Sequence, residues 1–243
     1  MVKQKIPEMV IKRLPVYLRY LEYYGESDRE YVSSFELGQK LGLNPAQIRK
    51  DLAYFGEFGK KGLGYEVGFL TKKIRKILGL NQEIPIAVIG GGNLGLAISR
   101  YNVYRGQNFK VTAIFDVDPG KVGLKVNGIP IKHVDDLPGE VAREGIRIVI
   151  IAVPAPHAQQ VADVAVKAGI TAILNFAPAK LKVPSFVRIH ATDVTCELQT
   201  LAYYLQGEGV VPKAPAESLK ADEVEINEVE TTLDGKVVST ESE

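Results

Sequence analysis

An α/β protein in two parts is what this sequence predicts: a small, basic, helical head followed by a doubly wound parallel sheet. Three observations carry the expectation. Helix start and stop signals recur at short intervals over the first 56 residues. From residue 84 onward, short apolar runs alternate with helical stretches. The first of those runs ends in Gly90-Gly91-Gly92-Asn93-Leu94-Gly95, a glycine-rich turn between a strand and a helix.

The 243 residues suffice for one to two domains. The single cysteine, Cys196, excludes a disulfide framework and any multi-cysteine zinc site, and only three histidines remain, so no metal is expected. The longest apolar stretch, Ile148 to Val153, is far below the ~18 residues of a membrane span, and MVKQKIPEMVIKR has no apolar signal segment. The expectation is a cytoplasmic protein with no membrane partner. A net charge of +1 hides an uneven distribution: +6 over residues 1–80, +1 over 81–211 and −6 over 212–243. The division expected is a head and linker helix over 1–80, a small-molecule domain over 81–192, a terminal helix over 193–211 and a solvated acidic tail over 212–243.

In the head, residues 7–24 set Val10, Leu14, Tyr17, Leu18 and Leu21 at helical spacing, with Gly25 as a stop. Pro15 is expected to kink or divide this helix. Ser33-Ser34-Phe35-Glu36 forms a capping box for a short helix ending at Gly42. Asn44-Pro45-Ala46-Gln47 opens the next, with Asn44 as cap and Gln47 able to reach back, running to about Phe55. Its apolar stripe, Ile48, Leu52 and Phe55, leaves Ala46, Gln47, Arg49 and Lys50 outward. This is helix-turn-helix order, in which the last helix enters the major groove. Arg and Gln suit bidentate contacts to guanine and adenine, and a small Ala admits a thymine methyl. Lys50 and the hydroxyls of Ser33 and Ser34 suit phosphates. Residues 56–65 carry four glycines, Lys60 and Lys61, and read as a β-hairpin wing. Asn44, Tyr54, Gly62 and Tyr65 complete the candidate DNA contacts.

Residues 70–78 read as a helix that links the two parts and stops at Gly79. The strand Ile84 to Ile89 then runs into Gly90, which makes the tight turn; Gly92 lets a pyrophosphate approach, and Gly95 lets helix and strand pack. A second strand ends in Asp116, placed for the hydroxyls of an adenosine ribose and repelling a 2′-phosphate, which predicts NAD(H) over NADP(H). Lys121 reads as a solvated lysine after a Pro-Gly turn, with a cation near enough to Asp116 to offset part of that repulsion as the alternative. Strands at 148–153 and 172–176 flank a helix near 159–168, and their carboxyl ends nominate Val153-Pro154 and Asn175-Phe176 for the nicotinamide side. Candidate cofactor contacts are therefore Gly90, Gly91, Gly92, Asn93, Leu94, Gly95, Asp116, Val117, Asp118, Val153, Pro154, Asn175 and Phe176. Catalytic candidates are poor. Cys196 sits among Val194, Leu198, Leu201 and Leu205 and reads as packing, while His133, His157 and His190 lie scattered in expected surface or loop positions. A Rossmann domain beside a winged helix-turn-helix points to regulation rather than turnover, with a small NAD-dependent oxidoreductase bearing a basic domain as the alternative.

The runs Gln47 to Gly56, Gly59 to Tyr65, Gly90 to Gly95, Phe115 to Pro119 and Ile173 to Pro178 together resemble the redox-sensing Rex repressors of bacteria, over about residues 5–207. The resemblance implies a homodimer that binds an AT-rich inverted repeat when NADH is scarce and leaves it when NADH binds, NAD⁺ competing without release. It implies a terminal helix, from about Asp193 to Gln206, that swaps between subunits. It also implies domain coupling through Arg19, Tyr101 and Asp193. Val194 departs from family members that carry an aromatic residue there. A wall of Val153, Pro154, Phe176 and Pro178 is expected to penalise the charged, oxidised ring.

Overall fold

The computed structural model describes residues 6–25, 30–100 and 108–206. The chain forms two compact units, Met1–Asp193 and Val194–Glu243.

Helix α1 (Glu8–Gly25) buries Val10, Leu14, Tyr17, Leu18 and Leu21. It runs on through Pro15 rather than being divided there. Pro15 and Ile11, whose carbonyl loses its partner, both face solvent, and the buried stripe on the opposite side holds the helix together. Helix α2 (Ser34–Leu41) opens on the expected capping box: Glu36 N–H donates to Ser33 Oγ at 3.1 Å and Ser33 N–H to Glu36 Oε2 at 2.8 Å. Such a cap is worth ~1 kcal/mol. Asn44 caps α3 (Pro45–Ala53) by accepting the Ala46 N–H at 2.8 Å, and the helix stops two residues short of Phe55. Strands β1 (Tyr31–Val32), β2 (Gly59–Lys60) and β3 (Gly64–Glu66) pair antiparallel in the order β1-β3-β2, so the glycine run is a hairpin. Helix α4 (Val67–Ile77) follows, three residues earlier than its apolar spacing suggested.

A buried acid ties the head together. Asp51, on α3, is fully buried and accepts bonds from Arg13 Nε at 2.5 Å, Arg13 Nη2 at 2.9 Å, the Tyr17 hydroxyl at 2.6 Å and Gln47 Nε2 at 2.7 Å. Burial pushes its carboxyl up, but the bonds from Arg13, Tyr17 and Gln47 outweigh burial and hold it below the usual carboxylate range. Arg13 and Tyr17 of α1 thus fix α3 against α1, while Gln47 holds the carboxylate from within α3.

The remaining strands are β4 (Ile84–Ile89), β5 (Phe109–Asp116), β6 (Lys125–Val126), β7 (Ile129–His133), β8 (Ile148–Ile151), β9 (Ala172–Asn175) and β10 (Arg188–Ala191). They form one sheet in the order β10-β9-β8-β4-β5-β7-β6, parallel except for the β6–β7 pair. Helices α6 (Leu137–Glu144) and α7 (Ala155–Lys167) cover one face, on a core including Ile89, Phe115, Val149 and Ile151. On the other face, Ile86, Val88, Ile114 and Ile150 pack with Leu96 and Ile98 of α5 (Asn93–Arg100). Strands β6, β7 and β10 and helix α6 carried no expectation, being short pieces whose apolar residues show no clean period. Near-continuous apolar strands with helices on both faces are what a parallel sheet requires.

The second unit contributes helix α8 (Val194–Gln206), on which Val194, Leu198, Leu201 and Leu205 are all exposed. Cys196 is exposed as well, which corrects its expected burial: the apolar stripe beside it is solvent-facing in the single chain. Residues 207–243, and with them the acidic tail, lie outside the described residues. Among those described, no helix is long and apolar enough to cross a membrane.

Replacing Asp51 with Ala leaves Arg13 and Tyr17 facing a void. It is expected to cost about 3 kcal/mol in urea denaturation. In the native chain this contribution is complete above about pH 4, where an unfolded aspartate titrates, and is lost as pH falls through the lower folded value; the Asp51→Ala chain loses less stability over that acid window.

Candidate dinucleotide cleft and nucleic-acid interface

The cleft begins where β4 ends. Gly90 has φ +110°, and a Cβ there would lie 2.5 Å from the Ala152 carbonyl oxygen. A Cβ on Gly95 would lie 1.8 Å from the Gly90 carbonyl oxygen. Both approaches need glycine. A Cβ on Gly92, by contrast, meets nothing within 4 Å, so that side of the turn is open toward the N-terminus of α5, where Asn93 and Leu94 are exposed. An open backbone beside a helix N-terminus is suited to a phosphate group.

Asp116 closes one side of the turn. It is 8% exposed, and its Oδ2 accepts the Gly91 N–H at 2.7 Å while Oδ1 accepts the Asp118 N–H at 2.9 Å. Lys121 Nζ lies 3.2 Å from Asp116 Oδ2 and 3.6 Å from Asp118 Oδ2, which corrects its expected role as a solvated residue: the turn after β5 folds it back over two carboxylates. Burial raises the Asp116 pKa, but the Asp118 amide, Lys121 and the Gly91 amide lower it further, so the carboxylate stays ionised below its ordinary range.

Between these groups and α7 lies a cavity of about 500 Å³. Gly90 and Gly92 form its floor, Val134, Val153, Val161 and Val164 supply apolar wall, and Asp116, Val117, Asp118, Lys121, Pro154, His157 and Gln160 also line it. An apolar slot with an ionised carboxylate beside it fits an adenine ring and its ribose. Asn175 and Phe176 do not line this cavity. The Asn175 side chain is buried and spent on its own turn: its Nδ2 donates to the carbonyls of Ala177 and Ala179, and its Oδ1 accepts the Ala177 N–H, each at 3.0 Å. Phe176 packs on the α5 face of the sheet, opposite to Val153, and Pro178 is exposed. The four-residue wall expected for nicotinamide is therefore split between two faces.

On the head, Ala46, Arg49 and Lys50 are exposed along α3, with Arg49 Nη1 donating to Ser34 Oγ at 2.8 Å. Gln47 does not reach back to the cap; Asp51 holds it, half-buried, because a buried carboxylate offers a better acceptor than the helix start. The Ser33 hydroxyl and the Asn44 carboxamide are engaged as caps, and Tyr54 is half-buried at the end of α3. Lys60 Nζ donates to the Tyr31 hydroxyl at 2.9 Å, and Lys61 and Gly62 are exposed at the hairpin turn. Tyr65 is a correction: only 7% exposed, it belongs to the head's core, and burial raises its phenol pKa. Alternation along β3 turns it inward.

Arg19 is exposed on α1 and lines a small cavity with Leu18, Glu22, Arg75, Leu80 and Phe109; Asp193 closes the first unit, and Tyr101 lies outside the described residues. No group of three or more His, Cys, Asp or Glu among the described residues could hold a metal. Sequence reasoning missed Asp51, whose signal was an acid adjoining the buried stripe of an otherwise basic helix.

Comparison with known proteins covers both parts. Residues 5–53 match a family described as the putative DNA-binding protein N-terminus, and residues 81–179 one described as the CoA binding domain. A redox-sensing transcriptional repressor Rex of Brevibacillus brevis is 53% identical over 83% of this chain and 98% of the relative. One from Listeria welshimeri is 46% identical over 83% and 94%. Among solved structures, RSP in complex with beta-NAD⁺ and operator DNA is similar with TM-score 0.79 and 40% identity over 83% of this chain and 93% of that one. RSP in complex with beta-NADH has TM-score 0.74 and 39% identity over 83% and 95%.

The two ends of the turn separate in their expected mutant behaviour. Gly92→Ala has room and should melt like the native chain while weakening NADH at least tenfold in calorimetry, as its methyl occupies the phosphate approach; Gly95→Ala must push β4 and α5 apart and should lower the melting temperature as well.

Proposed function

The chain belongs to the Rex family of redox-sensing transcriptional repressors, and we propose that it holds an inverted-repeat operator as a homodimer and releases it when NADH enters the cleft. The observation that carries this is the presence, in one compact unit, of a helix-turn-helix head and a glycine cradle whose open side suits a dinucleotide. Its relatives are named repressors, so NAD(H) acts as a regulatory ligand and the oxidoreductase alternative falls away. A cytoplasmic location accords with a ligand and a partner of this kind.

On DNA, α3 enters the major groove. Ala46, Arg49 and, once released from Asp51, Gln47 meet base edges; Lys50, Asn44, Ser33 and Ser34 hold phosphates near the helix start, and Lys60, Lys61 and Gly62 follow the backbone from the wing. Tyr54 supports the end of α3. Two heads related by a two-fold axis demand two inverted half-sites. The exposed stripe Val194, Leu198, Leu201 and Leu205 supports α8 as the element that buries against a second copy, in the segment 193–211.

In the cleft, adenine takes the valine-lined slot, the ribose hydroxyls meet Asp116, and the pyrophosphate crosses Gly92 toward the amides of Asn93 and Leu94. A dinucleotide that crosses this turn passes from the α7 face to the α5 face. Phe176 on that second face, beside the turn stapled by Asn175, is therefore suited to the nicotinamide, with an apolar surround that favours the uncharged, reduced ring. Asp116 disfavours a 2′-phosphate, and Lys121 offsets part of that repulsion. Arg19, Tyr101 and Asp193 are the family positions for coupling. Because coupling is reciprocal, NADH weakens operator binding by the factor by which operator weakens NADH binding.

A gel shift with an AT-rich inverted-repeat duplex should show binding that NADH abolishes and NAD⁺ does not; equal retention with and without NADH would refute the reading. Arg49→Ala should cost about 1–3 kcal/mol against the cognate duplex and relax discrimination, whereas Lys61→Ala should weaken all duplexes alike and reduce the salt slope by about one. Lys121→Ala, which strips the cation from Asp116, is expected to widen the preference for NADH over NADPH in competitive calorimetry.

A further inference from the structure

We infer that Asn108 and Arg75 are positioning residues that clamp the head onto the starts of the two strands whose far ends cradle the dinucleotide, and so carry the NADH response from cleft to head. The inference rests on the repressor reading.

Asn108 sits immediately before β5 with φ +64°, a left-handed conformation that Asn tolerates better than most residues. Its carbonyl accepts the Ile84 N–H at 2.5 Å, joining the start of β5 to the start of β4. Its Nδ2 donates to the Leu80 carbonyl at 2.5 Å and the Gln82 carbonyl at 3.2 Å, on the segment entering β4. Its Oδ1 accepts from Arg75 Nη2 at 2.6 Å. Arg75, on α4, also donates to the Leu80 carbonyl at 3.1 Å and to Glu22 Oε1 of α1 at 2.5 Å. One guanidinium and one carboxamide thus join α1, α4 and both strand starts.

The opposite ends of the same strands are the cleft: β4 runs into Gly90, and β5 ends at Asp116, which accepts the Gly91 N–H. At ~3.3 Å per residue, Asn108 and Asp116 are about 25 Å apart along one strand of a packed sheet. Ile84 and Phe109 pack against both the head's core and the sheet's core, so a shift of these strand starts is felt by both. A cavity of about 180 Å³ between Leu18, Arg19, Glu22, Arg75 and Phe109 leaves the junction room to rearrange, which a close-packed interior would not. A rigid pair of strands, a polar clasp at one end, a ligand cradle at the other and space beside the clasp are the parts a two-state junction needs.

The test uses the full chain, an AT-rich inverted-repeat duplex selected by the native protein, and NADH, with operator affinity read by fluorescence anisotropy in the absence and presence of saturating NADH. Asn108→Gly removes the clasp and keeps the backbone conformation accessible. It should lower the melting temperature by only a few degrees and leave NADH-free operator affinity and DNA-free NADH affinity near native, while the NADH-induced loss of operator affinity shrinks about 3- to 30-fold. Arg75→Lys, which keeps a charge toward Glu22 but cannot fork between two acceptors, should also shrink it and serves if Asn108→Gly does not fold. An undiminished NADH response in both variants overturns the inference. So does loss of NADH-free operator binding in a variant that still unfolds cooperatively, which would mark these residues as part of DNA binding itself. A native chain unresponsive to NADH would instead refute the repressor reading on which the inference stands.

Discussion

The hydrogen bond from the Gly91 amide to the Asp116 carboxylate is the constraint on which the cleft depends. It joins the turn after the first strand of the sheet to the end of the neighbouring strand, 25 residues later, and fixes a carboxylate next to the open side of Gly92. The carboxylate is almost buried, a costly position for a charge, and it persists because the Gly91 and Asp118 amides and Lys121 all point at it. The same donors that keep it ionised leave it oriented, a rigid acceptor at the wall of the cleft.

The head uses the same device with a different purpose. Asp51 is a fully buried carboxylate whose partners, Arg13, Tyr17 and Gln47, come from α1 and α3. In the cleft the arrangement leaves a charge at the wall of a cavity; in the head it consumes one to lock a helix. Gln47 is held by this lock, because the carboxamide that α3 could offer to a base edge is a donor to Asp51.

Much of this was legible in the sequence. The capping signals at Ser33 and Asn44, the stop at Gly42 and the glycine hairpin all rest on residues within six positions of one another, where local chemistry dominates. The close approaches at Gly90 and Gly95 were likewise foreseeable, since the strand–turn–helix order dictates them. Less was legible where one residue has two plausible neighbours. Tyr65 has the composition of a groove-facing aromatic, yet β-strand alternation turns it into the core. Phe176 and Val153 both follow apolar strands, and nothing in their spacing tells that they occupy opposite faces.

What the chain order alone determined, then, is the sequence of elements, the position of the phosphate turn and the basic character of the head, because caps, periods and glycine requirements are short-range. Only the tertiary structure decided which charges meet. Asp51 with Arg13 and Glu22 with Arg75 are pairings across separate elements, 38 and 53 residues apart, and Lys121 with Asp116 is made by the turn that follows β5. A charge on a helix or loop carries no period that names its partner. Its partner is chosen by burial, which makes an unpaired charge too costly to leave and selects whichever donor the packing of distant segments brings within reach.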